Sequence, residues 1–221
     1  MVYNFNWDVV WRNFDKLSHG WVLGLEMAVV ALLLGSIIGL ALAVLLVSNA
    51  TWLHRPIRIY VELIRNSPLL VLAFYVYFGL PQVGVYFLDN IQSFTLTLAV
   101  YAGAYLTEVF RAGLVSVPRG YIDAGKGIGL SQRQRLLYVS LPVTFRIVLP
   151  SLSNNFISLF KDTALASAIA VPELTFGATW INVHTFQVIE VWTVTGAIYL
   201  GTCYAIAFLL RLFERRFAVI R

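Results

Sequence analysis

The sequence predicts an all-α integral membrane protein with five transmembrane helices, and three observations predict it. Hydrophobic residues make up 59% of the 221 residues and charged residues 12%, with a mean hydropathy of +0.78. That balance lies outside soluble globular usage. Five apolar runs approach or exceed the roughly 20 residues that cross a hydrocarbon core. The intervening loops also alternate in charge: Lys and Arg occur at 54–58, 119–135 and 211–221 and are absent from 81–92 and 163–190. Because the Lys and Arg excess marks the cytoplasmic side, the N-terminus is expected outside and the C-terminus in the cytoplasm. The net charge of +5 resides in these short loops and calls for no nucleic-acid partner.

The same inventory excludes several chemistries. One cysteine, Cys203, provides neither a disulfide framework nor metal-ligand spacing, so no metal site is expected. Residues 1–20 hold two acids and two Lys or Arg and lack the n-region, h-region and cleavage site of a signal peptide. They are read as an external segment, with the first span retained. No GxxxxGK[ST] phosphate loop occurs, and Gly125-Lys126-Gly127 has neither the preceding strand nor the spacing of one. A non-catalytic chain is expected, holding no cofactor of its own and powered by another subunit or an ion gradient.

A transmembrane domain is expected over 21–215, followed by a cytoplasmic tail at 216–221. The first span, 22–47, carries Gly35, Ser36 and Gly39 at helical spacing, a small-residue strip for close helix packing; Glu26 lies near its outer end. The second, 57–80, contains Glu62, Arg65 and Asn66 ahead of Pro68. Charges inside a span cost about 2.5–3.5 kcal/mol each on insertion scales, so they should face other helices or a cavity. Glu62 has Arg65 and Asn66 at pairing distance along the helix, and Pro68 either breaks the span or kinks it. The third span, 93–117, places Glu108 and Arg111 on one face, as a structural ion pair or a gate latch.

In the fourth span, 143–170, Ser151, Asn154, Asn155, Ser158, Lys161 and Asp162 recur every three or four residues and form one helical stripe. Lipid would penalise that stripe, so it should face another helix or a water-filled passage. Asp162 can pair with an α-ammonium; Arg65, Lys161 or Asn155 can receive an α-carboxylate through charge-assisted hydrogen bonds. Alternatively, Lys161 snorkels outward and Asp162 caps a helix break. An external segment with a short helix is expected between Pro172 and Glu190, and the last span is 191–212.

Residues 119–142, RGYIDAGKGIGLSQRQRLLYVSLP, separate the third and fourth spans. Arg119, Lys126, Arg133 and Arg135 face a single acid, Asp123. Small residues at Ala124, Gly125, Gly127 and Gly129 let a partner approach the backbone, and Asp123 is expected near a helix start, where the dipole favours it. Asp123-Ala124-Gly125, Gly129 four residues later and Leu141-Pro142 together resemble the EAA signature of permease subunits of binding-protein-dependent ATP-binding-cassette importers. YVELIRNSPLLVLAFYVYFGLP, AYLTEVFRAGLVSVPRG and NNFISLFKDTALASAIAVPEL resemble further blocks of the polar amino acid permeases. Asp123 and Gly125 depart from the usual Glu and Ala, and Gly for Ala weakens a helix by roughly 1 kcal/mol.

The resemblance implies a type I importer permease fold in the bacterial inner membrane. It implies coupling to a separate ATPase dimer through Gly120, Asp123, Ala124, Gly125, Gly129, Leu141 and Pro142, with ATP and Mg held by that ATPase. Further implied partners are a second permease chain, homologous or identical, a periplasmic substrate-binding protein and surrounding lipid. The substrate path is expected at Arg65, Asn66, Asn155, Ser158, Lys161 and Asp162, for a polar amino acid. An ion-gradient-driven secondary transporter is the alternative; it commonly carries an internal repeat, and the two halves show no clear one. A membrane scaffold would leave the polar stripe without a use.

Overall fold

The computed structural model describes residues 3–48 and 50–217, and all regular structure among them is helical. The order is α1 (Asp8–Arg12), α2 (Phe14–Val47), α3 (Thr51–Arg65), α4 (Leu69–Phe74), α5 (Asn90–Val115), α6 (Arg119–Gly127), α7 (Gln132–Ile169), α8 (Leu174–Thr185) and α9 (Val188–Phe217). Four helices are long and apolar enough to span a membrane, and a bent α3–α4 pair makes up to five. The expected tail lies outside the described residues beyond 217.

Helix bounds depart most from expectation in three places. α2 begins at Phe14, ahead of the expected Val22. The run at 57–80 is not one straight helix: α3 and the helical stretch Leu69–Gln82 meet at 104°, so Pro68 breaks the span. Its ψ of 130° is extended, and proline also disfavours helical geometry at the residue before it. Leu63 O, whose i+4 N–H on Ser67 turns to Ile64 O, is taken by the Ser67 hydroxyl at 2.7 Å, while Glu62 O keeps Asn66 N–H at 3.1 Å and also accepts from Asn66 Nδ2 at 2.8 Å. Glu62 therefore has its Asn66 contact through its backbone, and among the described residues it makes no ion pair with Arg65. Third, α7 starts at Gln132, so the second half of 119–142 is helical and continuous with the fourth span.

Two π-turns share a cause. Leu80 N–H donates to Tyr75 O, and Leu141 N–H donates to Leu136 O, five residues back. Each leucine is followed by a proline, Pro81 or Pro142, which has no N–H and whose ring crowds the carbonyl four residues earlier. The widened turn relieves that crowding.

The chain forms two compact units. One comprises Met1–Leu32, Pro68–Ala99 and Phe156–Ile206. Val10, Leu17, Leu174, Ala178, Ile181 and Val191 form its buried cluster. α2 and α8 cross on glycines: a Cβ on Gly20 would stand 2.5 Å from Glu173 C, and one on Gly177 3.0 Å from Lys16 O. The N-terminal segment is tied down as well, since Tyr3 OH and Asn6 N–H both donate to the buried Glu190 carboxylate, the latter at 2.6 Å.

The other unit comprises Leu33–Ser67, Val100–Asn155 and Ala207–Arg221. Here α2 and α5 interlock reciprocally. A Cβ on Gly39 would lie 2.8 Å from Leu106 C, and one on Gly103 2.8 Å from Ile38 Cγ2. Gly39 of the expected small-residue strip thus admits its neighbour's backbone. Tyr60 OH donates to Val100 O at 2.7 Å, and Phe110 packs edge-on to Phe145 at 5.9 Å.

Candidate functional site

The segment 119–142 folds as helix, turn, helix, and each corner has a local explanation. α6 follows Pro118, whose extended ψ of 134° ends the preceding chain. Its C-terminus is a Schellman motif: Leu130 N–H donates to Gly125 O at 3.0 Å and Gly129 N–H to Lys126 O at 2.9 Å. Gly129 occupies the left-handed position with φ +81°, which explains glycine there without a partner. Ser131 then opens α7 with a capping box: Gln134 N–H donates to Ser131 Oγ at 3.4 Å and Ser131 N–H to Gln134 Oε1 at 2.8 Å. The S-x-x-Q spacing that marks such a box was present in the sequence and went unread.

Gly125 also has an intramolecular reason. A Cβ there would meet Arg135 Cγ at 3.3 Å, and Arg135 Nη1 donates to Leu130 O at 2.6 Å. The turn is thereby closed over its own backbone. A Cβ on Gly120, by contrast, would meet nothing within 4 Å, and Ala124 is exposed. Asp123 stands at the fifth position of α6, not at its start, and pairs with Lys126 at 2.8 Å. That hydrogen bond and the ammonium charge hold its carboxyl below the ordinary range. Ala124, Gly125, Ile128 and Pro142 line a mostly apolar groove of ≈ 400 Å³ with the exposed Tyr121 and Tyr138. Leu141 begins the α-helical body of α7 immediately before Pro142.

The candidate path residues divide between the two units. Arg65, Tyr105, Glu108, Arg111, Ser151 and Asn155 line one cavity of ≈ 510 Å³. Arg111 Nη2 contacts Glu108 Oε2 at 2.6 Å and Nε at 2.9 Å, so the expected pair forms on the cavity wall. The Arg65 guanidinium lies 5.0 Å from the Tyr105 ring centroid, an arrangement that orients a cation by the ring quadrupole. Tyr105 was missed from the sequence; its position three residues before Glu108, on the same helical face, was the available signal. Asn66 is not on this wall and is engaged with Glu62 O.

Ser158, Lys161 and Asp162 belong to the other unit. Ser151, Asn154, Ser158 and Lys161 are exposed, while Asn155 and Asp162 are half-buried. Asp162 marks the passage from α-helix to the 3-10 turn Thr163–Ile169 but makes no capping hydrogen bond. The cap explanation for this acid is therefore removed.

A further acid lies in the segment expected to be external between Pro172 and Glu190. Glu173, fully buried, caps α8: Oε1 accepts from Phe176 N–H and Oε2 from Thr175 N–H, both at 2.8 Å, and Oε2 also accepts from Tyr199 OH at 3.0 Å. Burial pushes its carboxyl up to about 7, although the Thr175, Phe176 and Tyr199 donors act in the opposite direction.

A polytopic helical protein with an exposed, rigidly capped helix-turn-helix between two spans, and a polar stripe on the next span, is built for a membrane complex. The chain belongs to the family of binding-protein-dependent transport system inner membrane components, whose model matches residues 31–219. It is 32% identical over 218 residues to the glutamine transport system permease protein GlnP of Escherichia coli K12, covering 98% of this chain and 99% of that protein. It is 35% identical over 212 residues to the L-cystine transport system permease protein TcyB of Bacillus subtilis, covering 95% and 90%. The octopine transport system permease protein OccM of Rhizobium radiobacter is 34% identical over 213 residues, covering 93% and 87%.

Among solved structures, an amino acid ABC transporter crystallised with histidines superposes with a TM-score of 0.88 at 30% identity, covering 98% of this chain and 100% of that one. An inward-facing MetNI methionine transporter superposes at 0.79 and 22% identity, covering 92% and 97%, and shares the fold. The chain is thus a non-catalytic inner-membrane permease subunit with the type I importer fold.

Proposed function

We propose that this chain forms the membrane passage of an ATP-driven importer for a polar amino acid. The observation that carries the reading is its likeness, over nearly the whole of both chains, to permeases named for glutamine and cystine transport. In this reading the turn-closed segment 119–142 seats on a separate ATPase through Gly120, Asp123, Ala124, Gly125, Gly129, Leu141 and Pro142. ATP and Mg belong to that ATPase, present as a dimer.

The exposed polar stripe of α7 faces a second permease chain, homologous or identical, and the path between them. Arg65, Asn155, Ser158, Lys161 and Asp162 meet the substrate there, with Asn66 at its edge. The Glu108–Arg111 pair serves as gate or wall. A periplasmic binding protein delivers the amino acid to the outer face, and the N-terminus lies on that side. The moving parts need only two states stabilised differently by ATP and substrate.

The test is to purify the C-terminally tagged chain from native membranes in mild detergent and identify what accompanies it. An ATP-binding subunit at about one per permease chain is expected, and its absence would remove the docking role of 119–142. In the reconstituted complex Asp162→Asn is expected to weaken uptake while the ATPase stays assembled. Normal uptake would place the substrate contact elsewhere.

A further inference from the structure

A second cavity of ≈ 510 Å³ lies apart from the candidate path, within the unit that holds the 119–142 turn. Val44 and Val47, on the last turn of α2, and Leu114, on the last turn of α5, form apolar wall. Gln132, Arg133 and Arg135, from the first turn of α7, supply the polar rim, and no acid lines the cavity. The two arginines differ in role. Arg135 is held in place by its bond to Leu130 O at 2.6 Å and by its stem against Gly125. Arg133 is exposed and has no hydrogen-bond or ion-pair partner among the described residues. The nearest acid in sequence, Asp123, is already paired with Lys126 at 2.8 Å.

An apolar recess under a cationic, donor-rich rim, at the basic end of membrane spans, matches one chemistry. The geometry points to a seat for a single anionic phospholipid, its phosphate at Arg133 and Arg135 and an acyl chain against Val44, Val47 and Leu114. Basic pockets between spans at the Lys- and Arg-bearing side recognise such headgroups, and an arginine fork suits phosphate. A free phosphate or nucleotide would gain nothing from the aliphatic wall. The leaflet concerned follows from the proposed orientation, whereas the seat itself does not depend on it. A lipid here would brace the root of the helix-turn-helix against the ends of α2 and α5.

The test uses the complete transporter in nanodiscs of phosphatidylcholine with added phosphatidylglycerol, followed by graded detergent washing and native mass spectrometry. Wild type is expected to retain about one phosphatidylglycerol per permease chain after phosphatidylcholine is stripped. Arg133→Gln should lower that retention about fivefold, the worth of one basic contact at a membrane surface. Val47→Trp, which fills the wall without changing charge, should lower it too. Equal retention of the two lipids by wild type, or retention unchanged in both variants, overturns the inference. Loss of this lipid from the complete transporter, with retention only by permease chains freed of the ATPase, assigns the cavity to that subunit and overturns the inference as well. Failure of the importer reading appears separately, as spectra without any ATPase, in which the lipid count is still read.

Discussion

Glu173 has no exposed surface, yet three donors converge on its carboxylate. Its carboxyl is raised from 4.5 to about 7, so the folded state holds a proton that the unfolded chain has already lost. Its contribution to stability is full below about 4.5 and is lost as pH rises through about 7. The thermal midpoint in detergent is therefore expected to fall across that window in wild type and to stay flat in Glu173→Gln. Glu173→Ala should be less stable at every pH, by about 1–2 kcal/mol, because the α8 cap is lost and buried N–H groups are orphaned. Nothing in the local sequence marks Glu173 as buried, since its burial depends on Gly20 bringing α2 within contact of its backbone.

At the element scale, the outline of segment 119–142 is legible in the sequence, but the part its glycines play in its own turn is not. Gly129 is required by φ +81°, and a Cβ on Gly125 would stand 3.3 Å from the Arg135 stem. The two exposed glycines Gly127 and Gly129 give a matched pair, as a Cβ on either would meet nothing within 4 Å. Gly129→Val places a β-branched residue in left-handed backbone, at a cost of about 1–2 kcal/mol or more. It should leave insertion and assembly intact while uncoupling ATP hydrolysis from uptake. Gly127→Ala, inside α6, should be neutral or stabilising by up to about 1 kcal/mol. Equal coupling in the two variants would show that the turn is no lever. The α2–α5 crossing is stricter: Gly39→Leu directs a side chain into the backbone at Leu106 and Thr107, and little folded protein is expected in membranes.

For the whole molecule, the question is what covers the polar stripe of α7. Ser151, Asn154, Ser158 and Lys161 stay exposed in the single chain, which lipid would not tolerate. Ser158→Cys, made with Cys203→Ser so that it is the sole cysteine, should react with a membrane-impermeant maleimide in the assembled transporter and be shielded by bound substrate. An unreactive Cys at 158 would place that face against lipid or dry protein.

The sequence by itself determined the membrane class, the number of apolar runs, the charge alternation of the loops and the presence of a small-residue, basic connector between two spans. These depend on composition and local spacing, because a span must be apolar over its length and a left-handed or capped turn needs particular residues at particular positions. Only the tertiary structure decided that Glu173 and Glu190 are buried, and that Arg65, Tyr105, Glu108 and Asn155 share one wall. Those facts arise from contacts between residues distant in the chain, where glycines set how closely two helices approach, and no window of neighbouring residues contains them.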